Sequence, residues 1–223
     1  MAATFIRLLV DLILLGLFIL AQANIYTGNR FHEWNGIAML LFLVFHIVLN
    51  RRWFLTLLQG RYLFRRWFSF FINLALAGLF IALMGCAFFI SRAVFTFDSI
   101  EGSKGLLLVH ATLSCWLLVV AGLHVGLFWN RIKGRLGLLL PGMPRGKHPK
   151  ISFSAQLLIV GCGIYASFTR EMAAKLFLLP SENYYLPNQT MVSFCLLNLS
   201  IMALYAVLTH WFMRLCTQRS RQV

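Results

Sequence analysis

Apolar residues along this chain come in long blocks that are separated by short polar and basic segments. Six blocks are visible, at about residues 6–24, 33–50, 69–91, 105–129, 152–170 and 190–213. Each block approaches or exceeds the ~20 residues that a helix needs to cross the hydrocarbon core of a bilayer. The pattern predicts an all-α fold, a polytopic membrane helix bundle with about six transmembrane helices.

Composition agrees with a membrane location and leaves no room for a separate soluble domain. Hydrophobic residues make up 60% of the 223 residues, charged residues make up 12%, and the mean hydropathy is +0.79. A soluble domain of this size carries about twice that charged fraction. We therefore predict a single membrane domain over residues 1–223.

The first apolar block has some features of a cleaved signal peptide, with Arg7 near its start and Ala21-Gln22-Ala23 at its end. Asp11 inside the block and its length of nearly 20 residues favour a retained helix. Cleavage would remove one span and leave all six histidines in the chain.

The net charge is +14, and its distribution predicts the topology. With a cytoplasmic N-terminus, fifteen of the twenty basic residues fall on the cytoplasmic side. The other five are Arg30, Arg92, Lys104, Arg170 and Lys175. This asymmetry follows the positive-inside rule and predicts a multi-pass protein with both termini cytoplasmic. The basic residues would contact anionic membrane lipid, so the charge does not indicate nucleic-acid binding.

Two pairs of histidines share one spacing, and each pair flanks an apolar run. His32 and His46 lie 14 residues apart in the second block, and His110 and His124 lie 14 residues apart in the fourth. Fourteen residues are nearly four helical turns, so both members of a pair face the same way about 21 Å apart along the axis. The second and fourth blocks cross the membrane in the same direction, so His32 would match His110 in depth, and His46 would match His124.

Two such matched pairs predict two stacked bis-imidazole sites for iron. Neutral imidazole is an axial ligand of haem iron, and two of them leave no open position for oxygen. We therefore expect two haem b in a four-helix di-haem core over residues 5–130, followed by a basic cytoplasmic loop at 131–150 and two additional transmembrane helices within 151–223. The expected chemistry is electron transport, with no catalytic residue at the metal.

Two alternatives stay open. A single intramembrane histidine is often a hydrogen-bonded structural residue, although polar groups in spans are usually functional. A haem-free intramembrane metal transporter or assembly factor would also use histidines, but such sites draw their ligands closer together and usually add Cys, Met or carboxylate. The five cysteines form no CxxCH motif, so covalent c-type haem attachment is not indicated.

Small and basic residues near the histidines are candidate cofactor-binding residues. Gly36 lies one turn from His32, and Gly122 and Gly126 bracket His124; glycine would let a flat macrocycle approach the helix, although glycine is common in membrane helices. Anionic haem propionates need cationic partners. The candidates for that role are Arg51, Arg52, Arg131 and Lys133 at the cytoplasmic end, and Arg30, Arg92 and Lys104 at the other. His210 is a candidate quinone contact or a structural residue, and His148 is most simply a solvated loop residue.

Residues 31–53, FHEWNGIAMLLFLVFHIVLNRRW, resemble a bacterial family, the flavinylation-associated cytochrome domain, formerly a domain of unknown function. The family pattern is His-Glu-Trp, then Gly, then a second His followed by Asn and basic-aromatic residues. Here the matching residues are His32, Glu33, Trp34, Gly36, His46, Asn50, Arg51, Arg52 and Trp53. The resemblance extends over about residues 5–130, with His110 and His124 on the later helix, and finds no counterpart for the last two blocks.

The resemblance implies a b-type cytochrome of the bacterial cytoplasmic (inner) membrane that passes electrons across this membrane, often to or from extracytosolic flavoproteins. The expected function is thus electron transfer between a quinol or other donor and an extracytosolic redox partner protein, as the electron-transfer subunit of a membrane oxidoreductase. A terminal reductase or quinol dehydrogenase, complete in itself, is a second possibility. The sequence offers no flavin fingerprint, so any flavin would belong to the partner.

Overall fold

The computed structural model describes residues 2–57, 59, 63–95, 104–139, 152–179 and 189–219. Across these ranges the protein is helical and contains no strand, which confirms the all-α prediction. The described helices are α1 (Ala2–Gln22), α2 (Asn24–Thr27), α3 (Asn29–Leu49), α4 (Arg52–Leu55), α5 (Phe64–Ile90), α6 (Lys104–Leu139), α7 (Phe153–Thr169), α8 (Met172–Leu176) and α9 (Met191–Arg219).

Five of these helices are long and apolar enough to cross a membrane: α1, α3, α5, α6 and α9. Helix α7 is also apolar but has only 17 residues, which is the lower limit for a span. The outward faces of the helices carry large exposed apolar side chains, such as Leu41, Phe45 and Ile81. These faces suit contact with lipid, and the chain is a multi-pass membrane protein.

The ends of the helices differ from the predicted ends of the spans. Helix α6 continues to Leu139, so residues 131–139 of the predicted basic loop are helical, and residues 140–150 lie outside the described part. In the same way α5 begins at Phe64 rather than 69, and α9 runs to Arg219 rather than 213. A charged residue shows where the hydrocarbon core ends, but it does not end the helix. Long basic side chains are well tolerated in a helix that projects beyond the hydrocarbon core.

Helix α6 lies at the centre of the bundle, in contact with α5 on one side and α9 on another. Leu118 and Val119 of α6, Ala166 of α7, and Ile201 and Met202 of α9 form the main buried cluster. Helix α1 packs along α3, and α7 along α9. The last two apolar blocks therefore supply much of the core rather than standing beside it.

Gly122 and Gly126 are part of this packing and do not face the histidines of α6. A Cβ atom at Gly122 would lie 2.6 Å from the backbone oxygen of Met202, and one at Gly126 would meet the backbone oxygen of Ala206. Both glycines are two positions from His124, which is about 200° around the helix. The expectation that they admit a macrocycle is therefore corrected: they allow α6 and α9 to approach closely.

Candidate functional site

The four intramembrane histidines meet across the space between α3 and α6 in two pairs. The ring centroids of His32 and His110 are 6.0 Å apart, with their planes at 75°. The ring centroids of His46 and His124 are 6.4 Å apart, with their planes at 62°. All four side chains are half-buried. These are the pairs that the spacing predicts, hereafter the 32/110 pair and the 46/124 pair, and they require α3 and α6 to run in the same direction.

The backbones of α3 and α6 are not packed together, in contrast to α1 with α3 or α5 with α6. The facing imidazoles therefore reach across a gap between the helices. Ring separations of 6.0 and 6.4 Å are those of an edge-to-face contact between two rings, so the partners of the ring nitrogens say more about the site than the distances do.

In the 46/124 pair, each Nδ1 has a polar side chain as its partner. His46 Nδ1 lies 2.8 Å from Oδ1 of Asp11 on α1, and His124 Nδ1 lies 2.8 Å from Oδ1 of Asn73 on α5. A carboxylate only accepts hydrogen bonds, so His46 donates from Nδ1, and in neutral imidazole this leaves the lone pair on Nε2. A carboxylate or amide oxygen behind the ring is the arrangement found for metal-ligating histidines.

In the 32/110 pair, the two Nδ1 atoms are buried and have no hydrogen-bond partner among the described residues. The backbone of Ala21 lies near the imidazole of His32, and the backbone of Leu83 lies near that of His110. No described side chain therefore fixes the tautomer of these two rings as Asp11 does for His46.

Asp11 joins three helices at the 46/124 pair. Its second carboxylate oxygen accepts from Nη1 of Arg135 on α6 at 2.7 Å, and Nη2 of Arg135 lies 3.4 Å from Oδ1 of Asn50. Asn50 in turn donates to the backbone oxygen of His46 at 2.8 Å. Asp11 and Asn73 are not among the residues predicted for the site. The signal was present, since a polar side chain within an apolar span is usually functional.

Glu33, beside His32, binds the residues that follow α5. Its carboxylate accepts from Ser91 Oγ at 2.6 Å and from the backbone nitrogens of Arg92, Ala93 and Val94 at 2.9, 2.9 and 2.8 Å. Ser91 accepts in turn from the backbone nitrogen of Phe95. Glu33 therefore fixes the start of α3 against the end of α5 at the rim of the 32/110 pair.

A cavity of about 520 Å³ opens beside the 32/110 pair and includes both imidazoles in its wall. A smaller cavity of about 60 Å³ adjoins His32 and His110 and is lined by Gly36 as well. A Cβ atom at Gly36 would meet no heavy atom within 4 Å, so this glycine borders open space, unlike Gly122 and Gly126. The larger volume is within the range of small-molecule and cofactor sites.

Basic residues at this cavity are not the ones that the sequence suggested. Arg170, after α7, and Lys175, on α8, line the larger cavity. The predicted candidates Arg30, Arg92 and Lys104 are exposed and line neither cavity. Nothing in the local sequence marks Arg170 and Lys175, because both reach the 32/110 pair only through the packing of α8 on α6.

At the end of the bundle that holds the 46/124 pair, Arg51 and Arg52 are exposed where α3 ends and α4 begins. Arg131 is also exposed, with its guanidinium 4.9 Å from the ring centre of Phe128, whereas Lys133 is half-buried. The structure thus leaves Arg51 and Arg52 near the 46/124 pair without assigning them a contact there.

Two histidines stand apart from the pairs. His210 is half-buried on α9 with Lys133 and Arg214 as its charged neighbours. A quinone contact at His210 stays a prediction. His148 lies outside the described residues.

Over the described ranges, no group of three or more His, Cys, Asp and Glu side chains is arranged to hold a metal ion. Each described histidine pair brings two imidazoles together, fewer than the three or four protein ligands that a zinc site takes.

Comparison with protein-family models, with curated proteins and with solved structures found no match. The resemblance of residues 31–53 to the flavinylation-associated cytochrome domain therefore stays a prediction from the residues themselves.

Proposed function

We propose that this chain is a b-type di-haem cytochrome that carries electrons across the membrane, as the electron-transfer subunit of a membrane oxidoreductase. One observation carries the proposal: two stacked pairs of facing imidazoles bridge a gap between parallel helices. His32 and His110 would hold one haem b, and His46 and His124 the other. Quinol or another donor, and an extracytosolic flavoprotein, are the proposed partners.

The residues present fit such a group in their nitrogen chemistry. Asp11 and Asn73 occupy the Nδ1 side of the 46/124 rings, so the Nε2 atoms are the ones left for a metal. When bound, haem iron with two imidazole ligands supplies one-electron transfer and has no open coordination position. The role of the protein is then to hold the imidazoles in one tautomer and orientation and to keep the surroundings apolar.

The spacing of the two pairs suits transfer across the bilayer. Fourteen residues along α3 or α6 correspond to about 21 Å, most of a hydrocarbon core about 30 Å thick. We propose cytoplasmic termini, since fifteen of the twenty basic residues then lie inside, and the bacterial inner membrane, which the resemblance of residues 31–53 implies. In this orientation the 32/110 pair faces the periplasmic partner and the 46/124 pair faces the cytoplasmic side.

Haem content of the purified full-length protein tests this proposal. Pyridine haemochrome analysis should return close to two haem b per polypeptide, with a b-type spectrum on reduction. His210→Ala is the matched control, because His210 lies outside both pairs and its loss should leave the content unchanged. A clean, folded preparation without haem would contradict the proposal, and one haem per chain would restrict it to a single pair.

A further inference from the structure

The larger cavity beside the 32/110 pair has imidazoles in one part of its wall and cations in another. His32 and His110 come from α3 and α6, while Arg170 and Lys175 come from the segment around α8. That segment is held on α6 by a hydrogen bond from Trp116 Nε1 to the backbone oxygen of Leu176 at 3.0 Å. This bond anchors the backbone of the segment that carries the two cations.

The described part of this wall carries positive charge and no negative charge. No carboxylate is found among the described residues that line the cavity. The guanidinium of Arg170 lies 4.0 Å from the ring centre of Phe194, and its buried Nε atom has no hydrogen-bond partner. A partly buried cation with an unused N–H favours an anion within reach.

The surroundings of Lys175 point the same way. Burial, and then the neighbouring Arg170, lower the pKa of Lys175 to about 8, against smaller opposing effects of Cys115 and Glu171. Glu171 does not line the cavity. Two like charges held close together are unfavourable, and an anion between them would relieve both the repulsion and the cost of burial.

We propose that Arg170 and Lys175 bind a carboxylate group in this cavity. The group is either a propionate of a haem held by His32 and His110, or the carboxylate of a small molecule that enters from the aqueous phase. The first source rests on the proposed function, and the second does not. In both cases α7 and α8 complete the site that α3 and α6 begin.

The first arm of the test measures release of the haem at the 32/110 pair. It uses the His46→Ala background, in which only this haem is expected, and transfer to an excess of apo-globin as the readout. Loss of one charge-assisted hydrogen bond should speed release about ten- to a hundredfold in Arg170→Gln and Lys175→Gln. Arg170→Lys should recover part of the loss, and Arg92→Gln, which removes an exposed cation outside the cavity, should have no effect.

Haem dimethyl ester, whose propionates carry no charge, shows whether the two cations bind a haem propionate. If the cations hold propionates, this haem should leave the unsubstituted cavity as fast as it leaves the variants. The second arm uses haem-free protein and succinate as the probe. If the cations hold a free carboxylate, succinate should raise the melting temperature saturably, and Arg170→Gln/Lys175→Gln should abolish the rise.

Faster haem release in the variants, or a saturable effect of succinate, would each support the carboxylate site and identify where the carboxylate comes from. Unchanged haem release in the variants together with no succinate effect would overturn it. A parent protein that takes up no haem would refute the proposed function alone, because the succinate arm still decides whether the anion site exists.

Discussion

The 46/124 pair and the 32/110 pair have nearly the same ring separation but opposite surroundings. At the 46/124 pair, Asp11 and Asn73 hold the two Nδ1 atoms, and Arg135 and Asn50 hold Asp11 and the backbone of His46. At the 32/110 pair, the Nδ1 atoms have no hydrogen-bond partner among the described residues, and a cavity of about 520 Å³ lies alongside. One site is closed by a polar network within the bundle, and the other is open to a ligand or partner.

This difference shows how one helix bundle can give two similar histidine pairs different reduction potentials. A carboxylate behind an imidazole makes the ring a stronger electron donor and favours the oxidised metal, whereas nearby cations favour the reduced one. Asp11 contacts the 46/124 pair, and Arg170 and Lys175 line the cavity that opens beside the 32/110 pair. Both effects would place the lower potential at the 46/124 pair, so electrons would run from it toward the 32/110 pair.

The largest effect is expected from removal of a ligand. His46→Ala and His32→Ala should each lower the haem content to about half, because the two pairs share helices but no ligand. Haem content per purified polypeptide measures this, with His210→Ala as the control. Full retention in either variant would show that the histidine is not a ligand.

The next largest effect is expected on the reduction potential, when the polar side chains behind the 46/124 rings are changed. Asp11→Asn should keep both haems, because an amide oxygen still accepts from His46, but it should raise the potential of the 46/124 component. Asn73→Asp places a carboxylate behind His124 and should lower the same component. A potentiometric titration measures both variants, and equal shifts of the same sign would refute the tuning argument.

A smaller effect is expected from the glycines. Gly126→Ala should lower stability by about 1–3 kcal/mol through a clash with α9, whereas Gly36→Ala meets open space and should cost little. Thermal unfolding in detergent with haem spectra recorded beforehand compares the two. Unchanged stability of Gly126→Ala together with loss of its haem would show that Gly126 serves the cofactor instead of the helix contact.

The smallest effect concerns pH. Because burial and Arg170 lower the pKa of Lys175 from 10.5 to about 8, the unfolded chain binds more protons than the folded one between these values. The contribution of Lys175 to stability should therefore rise as pH increases from 8 to 10.5, and Lys175→Gln should remove that part of the slope. Melting curves at pH 7 and pH 10 measure it; an unchanged difference in the variant would contradict the assignment.

Much of this site follows from spacing alone, and the remainder required three-dimensional packing. Fourteen residues between histidines and two crossings between blocks are enough to predict which rings meet. The angular position of Gly122 and Gly126 was also readable, since two residues from His124 is nearly the opposite face. Arg135 was assigned to a loop because charge ends an apolar block, although α6 continues and carries it to Asp11.

The two cations of the larger cavity could not be predicted from the sequence, for a different reason. Arg170 and Lys175 lie far from His32 and His110 in sequence, and only the position of α8 on α6 brings them together. The charge of a loop residue predicts on which side of the membrane the residue lies. It does not predict which cavity the residue lines.

The most direct test of two unequal haem sites is a potentiometric titration of the full-length protein and of His46→Ala, followed by b-type absorbance. The account predicts two one-electron components of about equal amplitude in the parent protein, and loss of only the lower-potential component in His46→Ala. A single component in the parent protein, or loss of the higher-potential component in the variant, would contradict it.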